Sequence, residues 1–178
     1  PLYIAAQNDH EAIVRALIEL VADVNKAGDN GATPLFIAAQ NGHEAIVRAL
    51  IELGADINKA RDIGVTPLLI AAQNGHETVV QALIEAGADV NKATDGCATP
   101  LYIAAQNGHE AVVRVLIEAG ADVNQARKDG WRPRGIAAQE GHTARVPARN
   151  DVGADANKAR CHRQTTRCRA APRHPDRQ

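Results

Sequence analysis

From Glu44 the chain reads EAIVRALIEL. Ile46, Val47, Leu50 and Ile51 fall at i, i+1, i+4 and i+5, on one face of a helix. Glu44, Arg48 and Glu52 fall at i, i+4 and i+8 on the opposite face, where they can form weak surface pairs worth roughly 0.2–0.5 kcal/mol each. The preceding stretch, TPLFIAAQNGH, predicts a shorter helix. Thr33 is a natural N-cap, and Pro34 at the first helical position loses nothing by lacking an N–H. Gly42 can close that helix in the left-handed conformation. Ala38 and Ala39 are small enough to let a neighbouring helix approach closely. Gly54 ends the second helix. GADIN and segments of the DNGA type then make an extended connection, so the order is helix, turn, helix, hairpin.

The same pattern returns every 33 residues, over 1–27, 28–60, 61–93, 94–126 and 127–159. The first copy lacks its leading residues, so the chain starts inside a repeat. Thin matches continue further: Ala137 and Ala138 map onto Ala170 and Ala171, and Thr99 maps onto Thr165. Residues 160–178 therefore read as a ruined sixth copy, expected to be a disordered basic tail. One copy cannot bury its own apolar face. Stacked copies build a continuous core, with stability roughly a sum of unit and interface terms.

Apolar residues make up 45% of the chain but aromatics only 2%, so Ala, Val, Ile and Leu must carry the burial. No run of 18 apolar residues exists to span a membrane. There is no Ser, which removes serine nucleophiles and serine caps. The net charge of −1 conceals a split. Residues 1–126 carry −9 and residues 127–178 carry +8. Such a split can mark a basic interaction tail. Cys97, Cys161 and Cys168 show no framework spacing, and an odd count suits a reduced intracellular chain, with a cytoplasmic location expected.

Candidate chemistry is sparse. His10, His43, His76, His109 and His142 recur in register and suggest a metal array. Stacked helices lie roughly 8–10 Å apart, however, and a zinc–nitrogen bond is about 2.0–2.1 Å, so equivalent histidines cannot share a metal. The expected role is a structural one at the start of the second helix, bonded to backbone. Cys161, His162, Cys168 and His174 fit no zinc spacing. Glu77, Gln81 and Glu85 lack even the intervening arginine and read as solvated surface. No carboxylate pair or phosphate loop stands out. The expectation is no metal, no cofactor and no catalysis.

TPLFIAAQNGHEAIVRALIELGADIN and its copies resemble the ankyrin repeat family, closely over 1–126 and weakly to 159. The resemblance implies an all-α, ankyrin-type helix-turn-helix solenoid with projecting β-hairpin loops. It implies a protein-interaction scaffold, not an enzyme, that binds an unidentified protein partner as a monomer. By resemblance, partner-binding positions are Asp29, Asn30, Ala32, Gln40 and Asn41 in the second unit. The third unit offers Asp62, Ile63, Val65, Gln73 and Asn74. The fourth offers Asp95, Gly96, Ala98, Gln106 and Asn107, and Trp131 sits at the next tip. The Gln-Asn pair is identical in all four good units, which suggests a repetitive partner or recent duplication. Some positions depart from the family pattern. Phe36, Leu69 and Tyr102 replace the usual His after Thr-Pro-Leu. Cys97 replaces a hairpin Gly, with Gly96 beside it to compensate. Asp9 and Val21 replace glycines, and a β-branched residue forced to positive φ costs of order 1–3 kcal/mol.

The fifth unit, 127–159, is degenerate. Arg132 replaces Thr99, Arg134 replaces Leu101, Arg145 replaces Val112, Arg149 replaces Leu116 and Asn150 replaces Ile117. Pro147 falls inside its second helix, at a cost of roughly 3 kcal/mol or more. Decay explains these changes better than a terminal cap, which needs no mid-helix proline; a selected basic patch comes third. Two alternatives to the scaffold stay open. Residues 127–178 could bind nucleic acid or another polyanion in a salt-sensitive way, although Trp131 is the lone aromatic platform there. The chain could also be a fragment of a larger multidomain protein.

Overall fold

The computed structural model describes residues 1–136 apart from Val21 and Arg134. Arg145, Pro147, Arg149, Asn150, His142 and the whole of 137–178 lie outside the described residues, as does the expected strain at Val21. Eight α-helices form among the described residues. Four are first helices of a unit: α1 (Leu2–Gln7), α3 (Pro34–Asn41), α5 (Pro67–Asn74) and α7 (Pro100–Gln106). Four are second helices: α2 (Glu11–Glu19), α4 (Glu44–Glu52), α6 (Glu77–Glu85) and α8 (Glu110–Glu118). The first helices pack in one row and the second helices in another, with each pair joined across the core. None is long and apolar enough to cross a membrane.

The local signals act as the residue types require. The Oγ1 atoms of Thr33, Thr66 and Thr99 accept from the amides of Phe36, Leu69 and Tyr102 at 3.1–3.2 Å. Pro34, Pro67 and Pro100 open the helices behind them. Gly42 and Gly75 close α3 and α5 at φ 79° and 78°. The core is aliphatic, as the composition demands. Ile46, Val47 and Leu50 are buried, as are Val79, Val80 and Leu83 and then Val112, Val113 and Leu116. The alanine pairs 38–39, 71–72 and 104–105 sit between first helices with no exposed surface. Ile136, at the start of the fifth unit, joins this core, and its amide donates to the Arg132 carbonyl at 3.1 Å.

The projecting loops differ from the hairpins expected. No strand forms among the described residues. Each tip is a tight turn closed by a short backbone bridge, Gly28 N–H to Ala32 O, Arg61 to Val65, Thr94 to Ala98 and Arg127 to Trp131, at 2.8–3.0 Å, with a second bond inside it, as from Gly31 N–H to Gly28 O. The arms are too short to build a ladder because the preceding residues are already committed. Asp23, Asp56, Asp89 and Asp122 each accept at Oδ1 from the amide two residues on. The left-handed positions also differ from expectation. Cys97 itself adopts φ 60°, and Gly96 does not relieve it. Asp9 adopts φ 60° where later units use glycine, and Ile63 adopts φ 57° at a tip.

Candidate interaction surface

The seams between units account for residues that looked like binding positions. The Gln7 carbonyl accepts from Asn41 Nδ2 at 3.0 Å and meets His43 Nε2 at 3.1 Å. The Gln40 carbonyl meets Asn74 Nδ2 at 2.7 Å and His76 Nε2 at 3.0 Å. The Gln73 carbonyl meets Asn107 Nδ2 at 2.8 Å and His109 Nε2 at 2.9 Å. A carbonyl only accepts, so Nε2 carries the proton in each case. These carbonyls lie at the ends of α1, α3 and α5, where helical partners run out. The next unit satisfies them. The recurrent histidines are therefore structural, bonded to backbone across the seam. Each ring also lies over the glycine cap below it: a Cβ on Gly42 would stand 2.7 Å from His76 Nδ1, and one on Gly75 as close to His109. At the first seam Asp9 replaces that glycine, and its carboxylate lies 3.5 Å from His43 Nδ1.

A second ladder runs along the connections. Asn25, Asn58 and Asn91 accept at Oδ1 from the amides of Asp56, Asp89 and Asp122, at 2.7–3.0 Å. Lys59 and Lys92 donate to the carbonyls of Asn25 and Asn58 at 3.0 and 2.8 Å. A third set lies on the row of second helices. Arg48 bonds Glu44 at 3.0 Å in its own helix and Glu85 at 3.2 Å in the next unit, so Glu85 gains an arginine that its own helix lacks. Arg15 repeats this with Glu11 and Glu52. The Arg48 bond, with a second from Thr78, holds the Glu44 carboxyl below its ordinary range. Its carboxylate partners raise the Arg48 guanidinium. These pairs are exposed and contribute little each.

The proposed contact residues therefore divide. Asn41, Asn74 and Asn107 are exposed, but their amides are engaged in the seams. The side chains of Gln40, Gln73 and Gln106 beside them make no hydrogen bond among the described residues, although the Gln40 and Gln73 carbonyls do. Ala32 is only 1% exposed and has no surface to offer. Val65 and Ala98 are half-buried, and their carbonyls close the tip turns. Asp29, Asn30, Asp62, Asp95 and Gly96 are exposed. Ile63 is 68% exposed and Trp131 43%.

Sequence reasoning missed a link between tips and first helices. The Arg61 guanidinium lies 5.6 Å from the centroid of the Phe36 ring, and Arg127 lies 5.5 Å from that of Tyr102. Asn30 Nδ2 donates to the Tyr3 hydroxyl at 3.3 Å. Each aromatic thus anchors the turn that follows it, Phe36 and Tyr102 through a cation–π contact worth about 0.5–1 kcal/mol. A visible signal existed. Phe36 and Tyr102 are each followed 25 residues later by Arg, whereas Leu69 is followed by Thr94. Among the described residues no group of three or more His, Cys, Asp or Glu side chains could hold a metal ion.

No curated protein matches the chain. The family model for ankyrin repeats (3 copies) matches residues 1–61 and 59–127. Most of the chain is covered, and the matched residues hold the eight stacked helices: the chain belongs to the ankyrin repeat family.

Proposed function

We propose that the protein is a non-catalytic scaffold that holds a protein partner against its turn tips and the free Gln side chains of its first helices. Ankyrin repeats are in general protein–protein interaction modules. The observation that carries the finer reading is the division just described. The invariant Asn and His side chains are engaged in the seams, whereas the Gln side chains beside them are left unengaged, and the tips share an Asp but differ at the residues next to it. Asp29-Asn30, Asp62-Ile63, Asp95-Gly96 and Asp129 with Trp131 form a row of unlike neighbours. A row of that kind suits a partner that is not itself repetitive. Ile63 and Trp131 supply apolar contact, and an aromatic anchor is a common hot spot. Gln40, Gln73 and Gln106 supply adaptable donors and acceptors. The mechanism is complementarity on a rigid stack, without bond chemistry.

The test compares residues 1–178 with residues 1–126 for binding to a captured and purified partner over a salt series. Retention by 1–126 at high salt, with loss on Ile63→Asp, supports the scaffold. Binding that needs 127–178 and collapses with salt contradicts it in favour of a polyanion site on the basic segment.

A further inference from the structure

Four Asn-Gly pairs occur in the chain: Asn30-Gly31 at a tip, and Asn41-Gly42, Asn74-Gly75 and Asn107-Gly108 at the seams. An asparagine before glycine is prone to lose its side-chain amide, because no Cβ shields the glycine nitrogen from the Asn Cγ. The fold treats the four pairs differently. Asn41 and Asn74 are the last residues of α3 and α5, and Asn107 caps α7 in helical geometry. Their Nδ2 atoms are held by carbonyls of the preceding unit at 2.7–3.0 Å. The Gly42 and Gly75 amides donate to the Ala38 and Ala71 carbonyls. Reaction at a seam therefore requires that the seam open first.

At the tip the side chain bends back over its own main chain. Asn30 Oδ1 accepts from the Ala32 amide at 3.0 Å, and the ring of atoms closed by this bond contains both Asn30 Cγ and the Gly31 nitrogen. Reacting atoms held in one small ring need little further ordering. The Ala32 amide also points at the oxygen on which negative charge builds when Cγ is attacked. Asn30 and Gly31 are both exposed to water. The leaving nitrogen meets the Tyr3 hydroxyl in a long bond of 3.3 Å. The Gly31 amide does donate to the Gly28 carbonyl at 2.9 Å, but that bond lies inside the turn and no stacking contact has to break to release it.

We propose that Asn30-Gly31 is a self-modifying site, at which the tip amide is converted to a carboxylate. Solvent takes the Gly31 amide proton, and the nitrogen forms a bond to Asn30 Cγ. The bond from Cγ to Nδ2 breaks, and that nitrogen takes a proton from water and leaves as ammonia. Water then adds to one of the two carbonyls of the five-membered imide, giving aspartate or isoaspartate at position 30. The aspartate fits the turn, since Asp129 already accepts from the Trp131 amide at 3.2 Å in the same way. Isoaspartate carries the main chain through an extra methylene and disrupts the bridge from Gly28 to Ala32. Either product lacks the Nδ2 donor to Tyr3. The first tip thus changes charge and shape as the protein ages; an effect on partner binding rests on the scaffold reading, whereas the chemistry does not.

The test holds the full chain in mildly alkaline buffer, folded or unfolded in urea, and follows each Asn-Gly pair by peptide mass mapping, with isoaspartate separated by chromatography. In the folded chain Asn30 converts at least about tenfold faster than Asn41, Asn74 or Asn107. In urea the four rates fall within about threefold of one another, because the turn and the seams are gone. Gly31→Ala places a Cβ beside the nucleophile and slows position 30 by about tenfold or more. The seam pairs in the same sample keep their rates, which reports that the stack persists. Equal rates in the folded chain, a seam pair that leads, an equal lead for Asn30 in urea, or an Asn30 rate unmoved by Gly31→Ala overturns the proposal. These readouts need no partner, so their failure leaves the scaffold reading standing, and a failed partner assay leaves them untouched.

Discussion

At the seams, Asn and His of one unit reach the same carbonyl of the unit before, three times over at nearly the same distances. At the tips the backbone recurs but the exposed side chains change. The left-handed position is Gly31, Gly64, Cys97 and Gly130 in turn, with Ile63 left-handed as well in the second tip. The two regions obey different constraints. A seam must satisfy the carbonyls at a helix end whatever the partner, so its Asn and His are held to one solution. A tip faces solvent, turns the chain and is linked to its neighbours mainly through backbone, as from Asp95 N–H to Ile63 O at 3.0 Å. Identity at the Asn and His positions therefore reports stacking, whereas the invariant Gln side chains stay outside the seams.

The most disruptive way to break the comparison is at a seam glycine. Gly75→Ala puts a Cβ 2.7 Å from His109 Nδ1 and leaves a non-glycine residue at φ 78°. It should cost about 2–3 kcal/mol, as strain plus displacement of the ring, measured by urea unfolding. Next, His76→Ala removes the bond to the Gln40 carbonyl and the cover over Gly42. A loss of about 1–2 kcal/mol is expected, with Gln→Ala changes beside it neutral. A smaller effect of opposite sign is expected at a tip. Ile63→Gly relieves a β-branched residue at φ 57° and should stabilise the chain by about 0.5–1 kcal/mol while weakening partner binding. An unchanged midpoint would show that the turn holds no strain.

The smallest effect concerns the exposed ion pairs. The folded chain holds the Glu44 carboxyl below its ordinary 4.5. A depressed carboxylate stabilises the fold above its unfolded value, and that contribution is lost as pH falls through the folded value. The midpoint difference between the native chain and Glu44→Gln should therefore be small and constant near neutrality and vanish in acid below that range. A difference that grows in acid would reverse the assignment.

Much of the fold was legible in the residues. Thr33 with Pro34, the 3.6-residue spacing of Ile46, Val47 and Leu50, and Gly42 each act through local chemistry that a sequence displays. The seams were harder to read. Asn74 and Gln73 are adjacent, both polar and both invariant among the intact units, and only the stacked geometry shows that Asn74 donates to a carbonyl 34 residues upstream. The Asn half of the Gln-Asn identity has that physical cause; the identity of the Gln side chains has no structural explanation. The tips were misjudged for a related reason. A turn-rich segment signals a hairpin, but here the Asp side chains take the amides at the entry to each arm. At Ile63 the turn imposed a left-handed conformation that the residue type argues against.

The most direct test of the central claim sets two triple variants side by side in urea unfolding. One carries Asn41→Ala, Asn74→Ala and Asn107→Ala; the other carries Gln40→Ala, Gln73→Ala and Gln106→Ala. The account predicts that the Asn set destabilises the chain by about 2–4 kcal/mol, one hydrogen bond at each seam, while the Gln set changes stability by less than about 1 kcal/mol. Equal losses, or a larger loss from the Gln set, would contradict it.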